Sequence, residues 1–447
     1  MSPISKSANR AKPFVIKHKF IPVGCVTLPG DKSIAHRALI LSALCQGKTT
    51  LKNFPLHDDS LATLNVLVAL GTQIRRNHNQ VLIKGRGLAG FKKPIQPIFV
   101  GNSGTTLRLI LGVLATQSFK TKVIAGKYLS RRPMARVNQP LRLMGADISA
   151  KVKGKEEYTP IVISGGKLKG IVYRLPVASA QVKSAILLAG LACAGKTKVI
   201  EPLISRDHTE RMLKKFKVNL TVKNNHIILN PNKSLVSPGQ IYIPGDISSA
   251  AFFMVLASII PGAKITIPQV SLNPTRSGIL AVLKRMQAKI TISRDKKSLN
   301  FEPTGNLLIK SSQLKATTIS AQEIPTLIDE LPIIMVAACF AKGQTVIKGV
   351  GELRVKETDR INSMVSNLKS MGADILVKKI GAQECIVIQG GKQLYGAHLK
   401  SFGDHRTAMS MVVAAIAAHG QSKIDDVGCI NKSFPGFLTT LASLKKR

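Results

Sequence analysis

The segment PGDKSIAHRAL at residues 29–39 places two cations at the start of an apolar stretch that reads as a helix. Lys32 and Arg37 follow the predicted N-cap Asp31, and Ser33 lies between them. The amino end of a helix carries a partial positive charge, so cations there do not stabilise the helix. A bound anion would be held jointly by the helix N–H groups, the hydroxyl and the cations. An ordinary N-cap with solvated cations explains the segment equally well.

A second charged segment is RVKETDR at residues 354–360. If it is helical, Lys356 and Arg360 share one face, as two clamps on one phosphate or carboxylate would. Glu357 lies between them in the sequence and is a candidate for proton transfer. The alternative is a solvated network of helical ion pairs.

Other charged side chains stand beside predicted helix starts. Asp329 begins the apolar stretch of LIDELPIIMV, where a carboxylate near cations suits a base that accepts a hydroxyl proton, or an ordinary N-cap. Arg132 precedes a proline that can begin a helix. GDHRT supplies His405 and Arg406, and NKSFP supplies Lys432. Together they predict a cationic lining with two acids and no metal ligands, suited to two small substrates with phosphate and carboxylate groups.

Six repeats of one unit must position these residues. Each has a helix-length run of small aliphatic residues and then a short β-branched strand, and the turns between them lie at positions 47, 119, 195, 262, 343 and 420. Helices that are apolar on nearly all faces must be buried on all sides. The repeats therefore predict an α/β fold of two domains, each with three α/β units whose buried parallel helices are surrounded by sheets.

Proline and glycine mark where the chain would pass between the domains. The boundary is predicted in IPGDISSA at 243–250, and Pro29-Gly30 marks a second crossing. The first domain would span 31–244, and the second 245–447 with residues 1–30 crossing over to it. The polar starts of all six buried helices would then face a cleft between the domains. Because these starts are cationic, we expect the empty halves to repel each other.

Composition limits the classes of function. The 447 residues include 65 Lys and Arg against 23 Asp and Glu, a net charge of +42, so nucleic acid must be considered as a partner. The cations are spread along the chain and aromatic residues make up only 4%, which counts against nucleic acid. The most apolar stretch, AAFFMVLASII, is too short to cross a bilayer, and no secretory signal is evident, so a cytoplasmic protein is expected.

Two nucleotide-binding patterns occur in the wrong context. GLACAGKT at 190–197 satisfies the Walker A pattern, but it closes an apolar helix and leads into a strand. GRGLAG at 85–90 satisfies the dinucleotide pattern, but it runs into FKKPIQP, which cannot begin a helix. Neither is interpreted as a nucleotide site.

In their order along the chain, several segments resemble those of the 5-enolpyruvylshikimate-3-phosphate synthase family. They are PGDKSIAHRAL, GNSGTTLRL, RRPM, ASAQVKSAILLAGL, SRDHTERML, RVKETDR, GDHRTAM and NKSFPGF, and the likeness runs from about residue 22 to 437. The resemblance implies the inside-out α/β barrel of the enolpyruvyl transferases. It also implies transfer of the enolpyruvyl group of phosphoenolpyruvate to the 5-hydroxyl of shikimate 3-phosphate in the shikimate pathway, with release of phosphate.

The resemblance also implies roles for particular residues. For shikimate 3-phosphate it implies binding by Lys32, Ser33, Arg37, Ser179, Ala180, Gln181, Arg206, Asp329 and Lys356. For phosphoenolpyruvate it implies binding by Lys32, Asn102, Gly104, Arg132, Gln181, Arg360, Arg406 and Lys432. Asp329 would accept the hydroxyl proton, and Glu357 and Lys32 are the candidates for protonating the methylene carbon. No metal or organic cofactor is implied, a monomer is expected, and glyphosate would occupy the phosphoenolpyruvate pocket.

One loop departs from the family pattern. The stretch before RRPM usually begins Gly-Asp, whereas here it reads GKYLS, with Lys127 in place of the acid and Tyr128 beside it. The nearest rival is the enolpyruvyl transferase acting on UDP-N-acetylglucosamine, which typically carries a reactive cysteine in this loop, and GKYLSRRPM has none. A rival of another class is a protein that binds nucleic acid or processes RNA ends, and it rests on the charge alone.

Overall fold

The computed structural model describes residues 13–17, 19–231, 234–295 and 301–445. The helices found there are α1 (Lys32–Leu44), α2 (Asp58–Ala69), α3 (Gly104–Leu114), α4 (Ala135–Leu143), α5 (Ala180–Gly190), α6 (His208–Lys215), α7 (Ile247–Ile259), α8 (Gly278–Arg285), α9 (Ile324–Leu327), α10 (Leu331–Phe340), α11 (Arg360–Ser370), α12 (His405–Ala417) and α13 (Phe437–Ser443). Short 3₁₀ helices span Leu129–Arg131, Gly351–Val355 and Gly428–Lys432.

The strands of the described residues fall into two consecutive series along the chain. Those of the first 245 residues are β1 (Phe14–Ile16), β2 (Val23–Cys25), β3 (Lys48–Lys52), β4 (Gln73–Asn77), β5 (Gln80–Lys84), β6 (Ile98–Phe99), β7 (Lys120–Ile124), β8 (Asp147–Lys153), β9 (Glu156–Ser164), β10 (Val172–Arg174), β11 (Thr197–Ile200), β12 (Leu220–Lys223), β13 (His226–Leu229) and β14 (Gln240–Tyr242). The remainder are β15 (Lys264–Ser271), β16 (Lys289–Arg294), β17 (Thr304–Lys310), β18 (Thr318–Ile319), β19 (Gly343–Lys348), β20 (Asp374–Ile380), β21 (Gln383–Gly390), β22 (His398–Leu399) and β23 (Ser422–Ile424).

Six helices form the interior, as the repeats predict. They are α1, α3, α5, α7, α10 and α12, and all residues of α12 are buried, as are Ile247–Ser258 of α7. Small aliphatic side chains let these helices pack on every side, and truncating one of their leucines to alanine would cost about 2–5 kcal/mol of the free energy of unfolding. The prediction of a two-domain α/β fold with buried helices surrounded by sheets is confirmed.

Five of the six sheets have four strands and the sixth has three, but the strand that follows the buried helix is placed alike in all of them. In each, the strand after a buried helix lies parallel to an edge strand on one side and antiparallel to its neighbour on the other. The sheet orders are β14-β3-β5-β4, β6-β7-β9-β8, β10-β11-β13-β12, β2-β15-β17-β16, β18-β19-β21-β20 and β1-β23-β22. This repetition of helix and strand, with an outer hairpin in five of the six units, is the physical basis of the repeats in the sequence.

The packing separates the chain into two hydrophobic cores. One core holds apolar residues between positions 34 and 243, and the other holds Ile16, Val26 and Leu28 with residues from 247 to 444. The chain passes between them where Gly30 pairs with Gly245. These contacts support the division into 31–244 and 245–447 that we propose from the sequence. We call the two parts the first and the second half, and the second includes the described residues before Gly30.

Two sequence interpretations are settled by local structure. GLACAGKT extends from the end of α5 to the first residue of β11, so it does not join a strand to a following helix as a P-loop does. GRGLAG follows β5 and no helix begins before α3. No described helix has both the length and the apolar character needed to span a bilayer.

Candidate active site

A cavity of about 440 Å³ lies between the two halves and is lined by both. It contains most of the residues expected at the site: Lys32, Ser33, Arg37, Gly104, Arg132, Ser179, Ala180, Gln181, Arg206, Asp329, Lys356, Glu357 and Arg406. Three expected residues, Asn102, Arg360 and Lys432, are not among its lining residues. The sequence therefore brings together side chains that are up to 374 positions apart, since Lys32 and Arg406 share one cavity.

The helix starts facing the cavity are capped. Oδ1 of Asp31 accepts a hydrogen bond of 2.9 Å from the backbone N–H of Ile34, so the N-cap interpretation of the first segment is correct. The cations that follow are not solvated, however. Nζ of Lys32 lies 2.9 Å from Oδ2 of Asp59, and the buried guanidinium of Arg37 donates to Thr209 and Ser184 at 2.6 and 2.8 Å. The cap and the cationic lining therefore coexist.

The starts of α3 and α5 are joined by hydrogen bonds through Gln181. Its Oε1 accepts from Nη1 of Arg108 at 2.7 Å, and its Nε2 donates to Oγ1 of Thr105 at 2.9 Å. Ser179 caps α5 by accepting from the backbone N–H of Val182 at 3.4 Å. These bonds fix the amide of Gln181 at the wall of the cavity.

Asp329 lies at the centre of a group of arginines. Its Oδ2 is 2.5 Å from Nη2 of Arg206 and 3.5 Å from Nη2 of Arg406, and its Oδ1 is 3.2 Å from Nη1 of Arg360. Burial alone would raise the pKa of this carboxyl, but Arg406, Arg206 and Arg276 outweigh burial and hold the pKa well below its usual value. Asp329 is therefore ionised in this arrangement.

The local structure around Asp329 differs by two residues from the sequence interpretation. Helix α10 begins at Leu331 with Glu330 at its N-cap position, so Asp329 precedes the helix rather than capping it. Pro332 occupies the first turn, where its missing N–H is not needed. The carboxylate of Asp329 is thus free of capping bonds and is directed to the arginines instead.

The expected helix through RVKETDR is wrong. Residues 351–355 form a 3₁₀ helix, Lys356 lies in the bend that follows, and α11 begins only at Arg360, with Asp359 as its N-cap. Lys356 and Arg360 therefore do not share a helical face. Asp359 accepts from the N–H of Asn362, and this cap ends the irregular segment.

Arg360 is a structural hub at the base of the cleft. It is 1% exposed, and its guanidinium donates to Asp404 at 2.8 Å, to Asp329 at 3.2 Å and to Glu357 at 2.5 Å. Glu357 also lies 3.4 Å from Nη1 of Arg132 in the first half. Burial alone would raise the pKa of Glu357, but Arg360 and Arg132 outweigh burial and hold the pKa well below its usual value. In this arrangement Glu357 is thus an ionised carboxylate and not a protonated acid.

Lys356 and His405 also line the cavity. Withdrawal from water lowers the pKa of Lys356 to about 8, although Asp329 and Glu352 act in the opposite direction. Within the described part of the chain, no carboxylate lies within ion-pair distance of its ammonium group. Burial, with Lys32 and Arg406, holds the pKa of His405 well below its usual value, so this imidazole is neutral.

The three expected residues outside the lining have other contacts. Oδ1 of Asn102 accepts from the backbone N–H groups of Tyr128 and Leu129 at 3.1 and 3.3 Å. Nζ of Lys432 donates to the carbonyl of Gly403 at 2.7 Å and lies over the Tyr128 ring. Asn102 thus organises a loop, and Lys432 stands at the rim of the cleft.

The cleft is not uniformly cationic, which corrects the expectation of repulsion between the halves. Asp329, Glu352 and Glu357 of the second half face cations of the first half across the cavity, whereas Asp246 lies 3.8 Å from Arg276 of its own half. Three ion pairs join the halves there: Arg206–Asp329 at 2.5 Å, Arg136–Glu352 at 2.8 Å and Arg132–Glu357 at 3.4 Å. Paired charges of opposite sign replace repulsion by attraction, so the halves are in contact.

Sequence reasoning missed several lining residues. Arg108, Arg136, Arg276, Asp59, Asp246 and Glu352 were not expected at the site. Two of them had a readable signal, since Arg108 lies one helical turn after Gly104 and Arg136 lies four residues after Arg132. Asp59 and Arg276 had no such signal, because Asp59 lies in α2 and Arg276 lies in the loop before α8, and neither segment is the start of a buried helix.

Comparison with known proteins identifies a protein family, similar sequences and similar solved structures. Residues 22–441 match the family model described as EPSP synthase (3-phosphoshikimate 1-carboxyvinyltransferase). The 3-phosphoshikimate 1-carboxyvinyltransferase of Desulforamulus reducens is 48% identical over 419 residues, which cover 94% of this chain and 96% of that protein. A solved EPSP synthase from Acinetobacter baumannii superposes with a TM-score of 0.86 at 40% identity, covering 97% of this chain and 98% of that one. The enolpyruvyl transferase NikO from Streptomyces tendae, at 13% identity and a TM-score of 0.76 over 97% of both chains, shares the fold.

Proposed function

Because the chain belongs to the EPSP synthase family, we propose that it transfers the enolpyruvyl group of phosphoenolpyruvate to the 5-hydroxyl of shikimate 3-phosphate and releases phosphate. The observation that carries the proposal is the position of Asp329. This carboxylate lies between arginines of both halves in a cavity of about 440 Å³ that is large enough for small anions. Guanidinium groups bind phosphate and carboxylate in a bidentate manner, so the same arginines can receive the groups of both substrates.

Shikimate 3-phosphate would occupy the side of the cavity formed by α1, α5 and the segment after the 3₁₀ helix 351–355. Its ligands there would be Lys32, Ser33, Arg37, Ser179, Ala180, Gln181, Arg206, Asp329 and Lys356. The ammonium of Lys356 supports this assignment, because a charge with no carboxylate partner among the described residues is available to the substrate. On binding, the guanidinium of Arg206 would leave the carboxylate of Asp329 and donate to a substrate oxygen instead.

Phosphoenolpyruvate would occupy the side near α3 and α12. Gly104, Arg132, Gln181 and Arg406 line that side with Lys32. Arg360 does not line the cavity and would act on phosphoenolpyruvate through Glu357 and Asp329, whose carboxylates it contacts. Asn102 and Lys432 would act from the rim, Asn102 by holding the loop at Tyr128 and Lys432 by its ammonium group.

The chemistry requires two proton transfers to form the intermediate. The 5-hydroxyl oxygen attacks C2 of phosphoenolpyruvate while its proton passes to the carboxylate of Asp329. The methylene carbon C3 accepts a proton, which gives a tetrahedral intermediate. The C2–O bond to phosphate then breaks and phosphate leaves with the bonding electrons, while C3 returns a proton to the group that supplied it, which restores the enolpyruvyl double bond.

Glu357 and Lys32 are both candidates for the proton at C3. Nζ of Lys32 lies at the cavity wall and is paired with Asp59. Glu357 must first gain a proton, which becomes easier when a substrate anion draws Arg132 away from it. Substrate binding thus weakens the arginine contacts of both Asp329 and Glu357 and raises the pKa of each carboxyl group. Asp329 then accepts the hydroxyl proton more readily, and Glu357 can gain the proton that it would give to C3.

Identification of the product tests this function. The purified protein is incubated with shikimate 3-phosphate and phosphoenolpyruvate, and the product is examined by mass spectrometry and phosphorus NMR. We expect a compound that carries the enolpyruvyl ether and retains the 3-phosphate. Enolpyruvyl transfer to UDP-N-acetylglucosamine instead would favour the rival transferase.

We also propose that the protein is a monomer, since one chain supplies both walls of the cleft. Sedimentation analysis tests the monomer. A cytoplasmic location is proposed as well.

A further inference from the structure

The ring of Tyr128 lies at the rim of the cleft, on the loop that departs from the family pattern. Nζ of Lys432 is 4.9 Å from the centroid of this ring and donates to the carbonyl of Gly403 at 2.7 Å. Tyr128 belongs to the first half, and Lys432 and Gly403 belong to the second. The ring therefore contacts a cation across the boundary between the halves, at a distance typical of a cation–π interaction.

The loop that carries Tyr128 is fastened to the start of α3. Oδ1 of Asn102 accepts from the backbone N–H groups of Tyr128 and Leu129, and the N–H of Gly126 donates to the carbonyl of Gly101 at 2.6 Å. A Cβ atom on Gly126 would lie 2.6 Å from Oδ1 of Asn102, so a larger residue there would displace the Asn102 side chain from these bonds. These hydrogen bonds fix the loop that carries the Tyr128 ring next to the start of α3 at Gly104.

Lys432 has a second neighbour of the first half. The 3₁₀ helix that ends at Lys432 packs against α2, and Lys432 acts electrostatically on Asp58 at the start of that helix. The next residue, Asp59, is the partner of Lys32. The ammonium of Lys432 therefore contacts an aromatic face and acts electrostatically on the acidic start of α2.

We propose that Tyr128 is a positioning residue that holds the ammonium of Lys432 toward the phosphoenolpyruvate side of the cleft by a cation–π contact between the two halves. This role rests on the proposed function. An ammonium that is already oriented loses less freedom when it binds an anion, so the contact acts on affinity for phosphoenolpyruvate. The side that would bind shikimate 3-phosphate does not include Tyr128 and is unaffected.

Steady-state kinetics of Tyr128 variants test the proposal. Tyr128→Leu removes the aromatic face, and we expect the KM for phosphoenolpyruvate to rise about three- to tenfold while kcat changes less than about twofold. The Kd of shikimate 3-phosphate alone, measured by calorimetry, should not change. Tyr128→Phe and Tyr128→Trp keep the aromatic face and should restore the KM. Tyr395→Leu is the matched control, because Tyr395 is similarly exposed and contacts His419 instead.

A second measurement reads the contact without relying on turnover. The chain contains no tryptophan, so Tyr128→Trp places a single indole at the rim. Lys432→Met in that background should change the indole emission, because it removes the ammonium over the ring. An active wild type with an unchanged KM in Tyr128→Leu, a Tyr128→Phe variant as impaired as Tyr128→Leu, or emission insensitive to Lys432→Met would overturn the role of Tyr128. A wild type inactive with both substrates would overturn the proposed function itself.

Discussion

Oδ2 of Asp329 lies 2.5 Å from Nη2 of Arg206, and the two residues belong to opposite halves of the chain. The acid proposed as the catalytic base is therefore paired with a cation that only the closed arrangement supplies. This pairing, with Arg406 and Arg276, holds the pKa of Asp329 well below its usual value despite burial. A substrate oxygen that takes Arg206 would raise the pKa of Asp329 and prepare it to accept a proton.

Asp329→Asn should abolish most of the activity. The amide keeps the shape of the side chain but cannot accept the hydroxyl proton, so kcat should fall by roughly 10²–10⁴ with the fold intact. Asp374→Asn is the matched control, because Asp374 pairs with Lys392 at the surface and does not line the cavity. Near wild-type turnover in Asp329→Asn would assign the base to another residue.

Binding of shikimate 3-phosphate should weaken in alkali because of Lys356. Its pKa is lowered to about 8, so the ammonium loses its proton as the pH rises above that value and can no longer attract the substrate phosphate. The Kd, measured by calorimetry, should be constant below about pH 8 and rise toward tenfold per pH unit above it. Lys356→Met should bind more weakly and show a flatter profile. A wild-type Kd that stays constant to about pH 9.5 would contradict the assignment.

Gly104→Ala should separate glyphosate from phosphoenolpyruvate. A Cβ atom at Gly104 would lie 3.0 Å from Nη1 of Arg108 and 3.0 Å from Nη1 of Arg132, so the methyl group narrows the phosphoenolpyruvate side. Glyphosate is slightly longer than phosphoenolpyruvate, and we expect its inhibition constant to rise more than the KM for phosphoenolpyruvate does. Equal weakening of the two ligands, or a wild type that glyphosate does not inhibit, would refute the steric explanation.

Reversing one charge of the Arg136–Glu352 pair should impair closure. This pair joins the halves at 2.8 Å and is partly exposed, so its contribution is small. Glu352→Arg should raise the KM of both substrates roughly two- to fivefold, and the double variant Arg136→Glu with Glu352→Arg should recover. Small-angle scattering of the single variant should show a larger radius of gyration. Failure of the double variant to recover would mean that the pair does not hold the halves together.

The sequence predicted the repeated architecture because the evidence for it is local. A run of small aliphatic residues such as AAFFMVLASII can be satisfied only by burial on all sides, and six such runs required a packing of buried helices. The N-cap at Asp31 was also readable from its own segment. The polar residues at the starts of the apolar helices then predicted the position of the cavity, since the packing of these helices brings their starts together.

Details that depend on packing could not be read in the same way. RVKETDR has a helical charge pattern, yet Lys356 precedes α11 because Asp359 caps the helix at Arg360. The expected repulsion across the cleft failed because a sequence does not show that Asp329 and Glu357 face Arg206 and Arg132 from the opposite half. Such pairing is set by the association of the two halves, not by neighbours along the chain.

Phosphate release in the presence of both substrates tests the central claim most directly. The initial rate is measured with phosphoenolpyruvate alone, shikimate 3-phosphate alone, the two together, and phosphoenolpyruvate with UDP-N-acetylglucosamine. The account predicts rapid release only when shikimate 3-phosphate and phosphoenolpyruvate are both present, with one phosphate formed for each phosphoenolpyruvate consumed, and loss of that release in Asp329→Asn. No release with this pair, or equal release with UDP-N-acetylglucosamine, would contradict it.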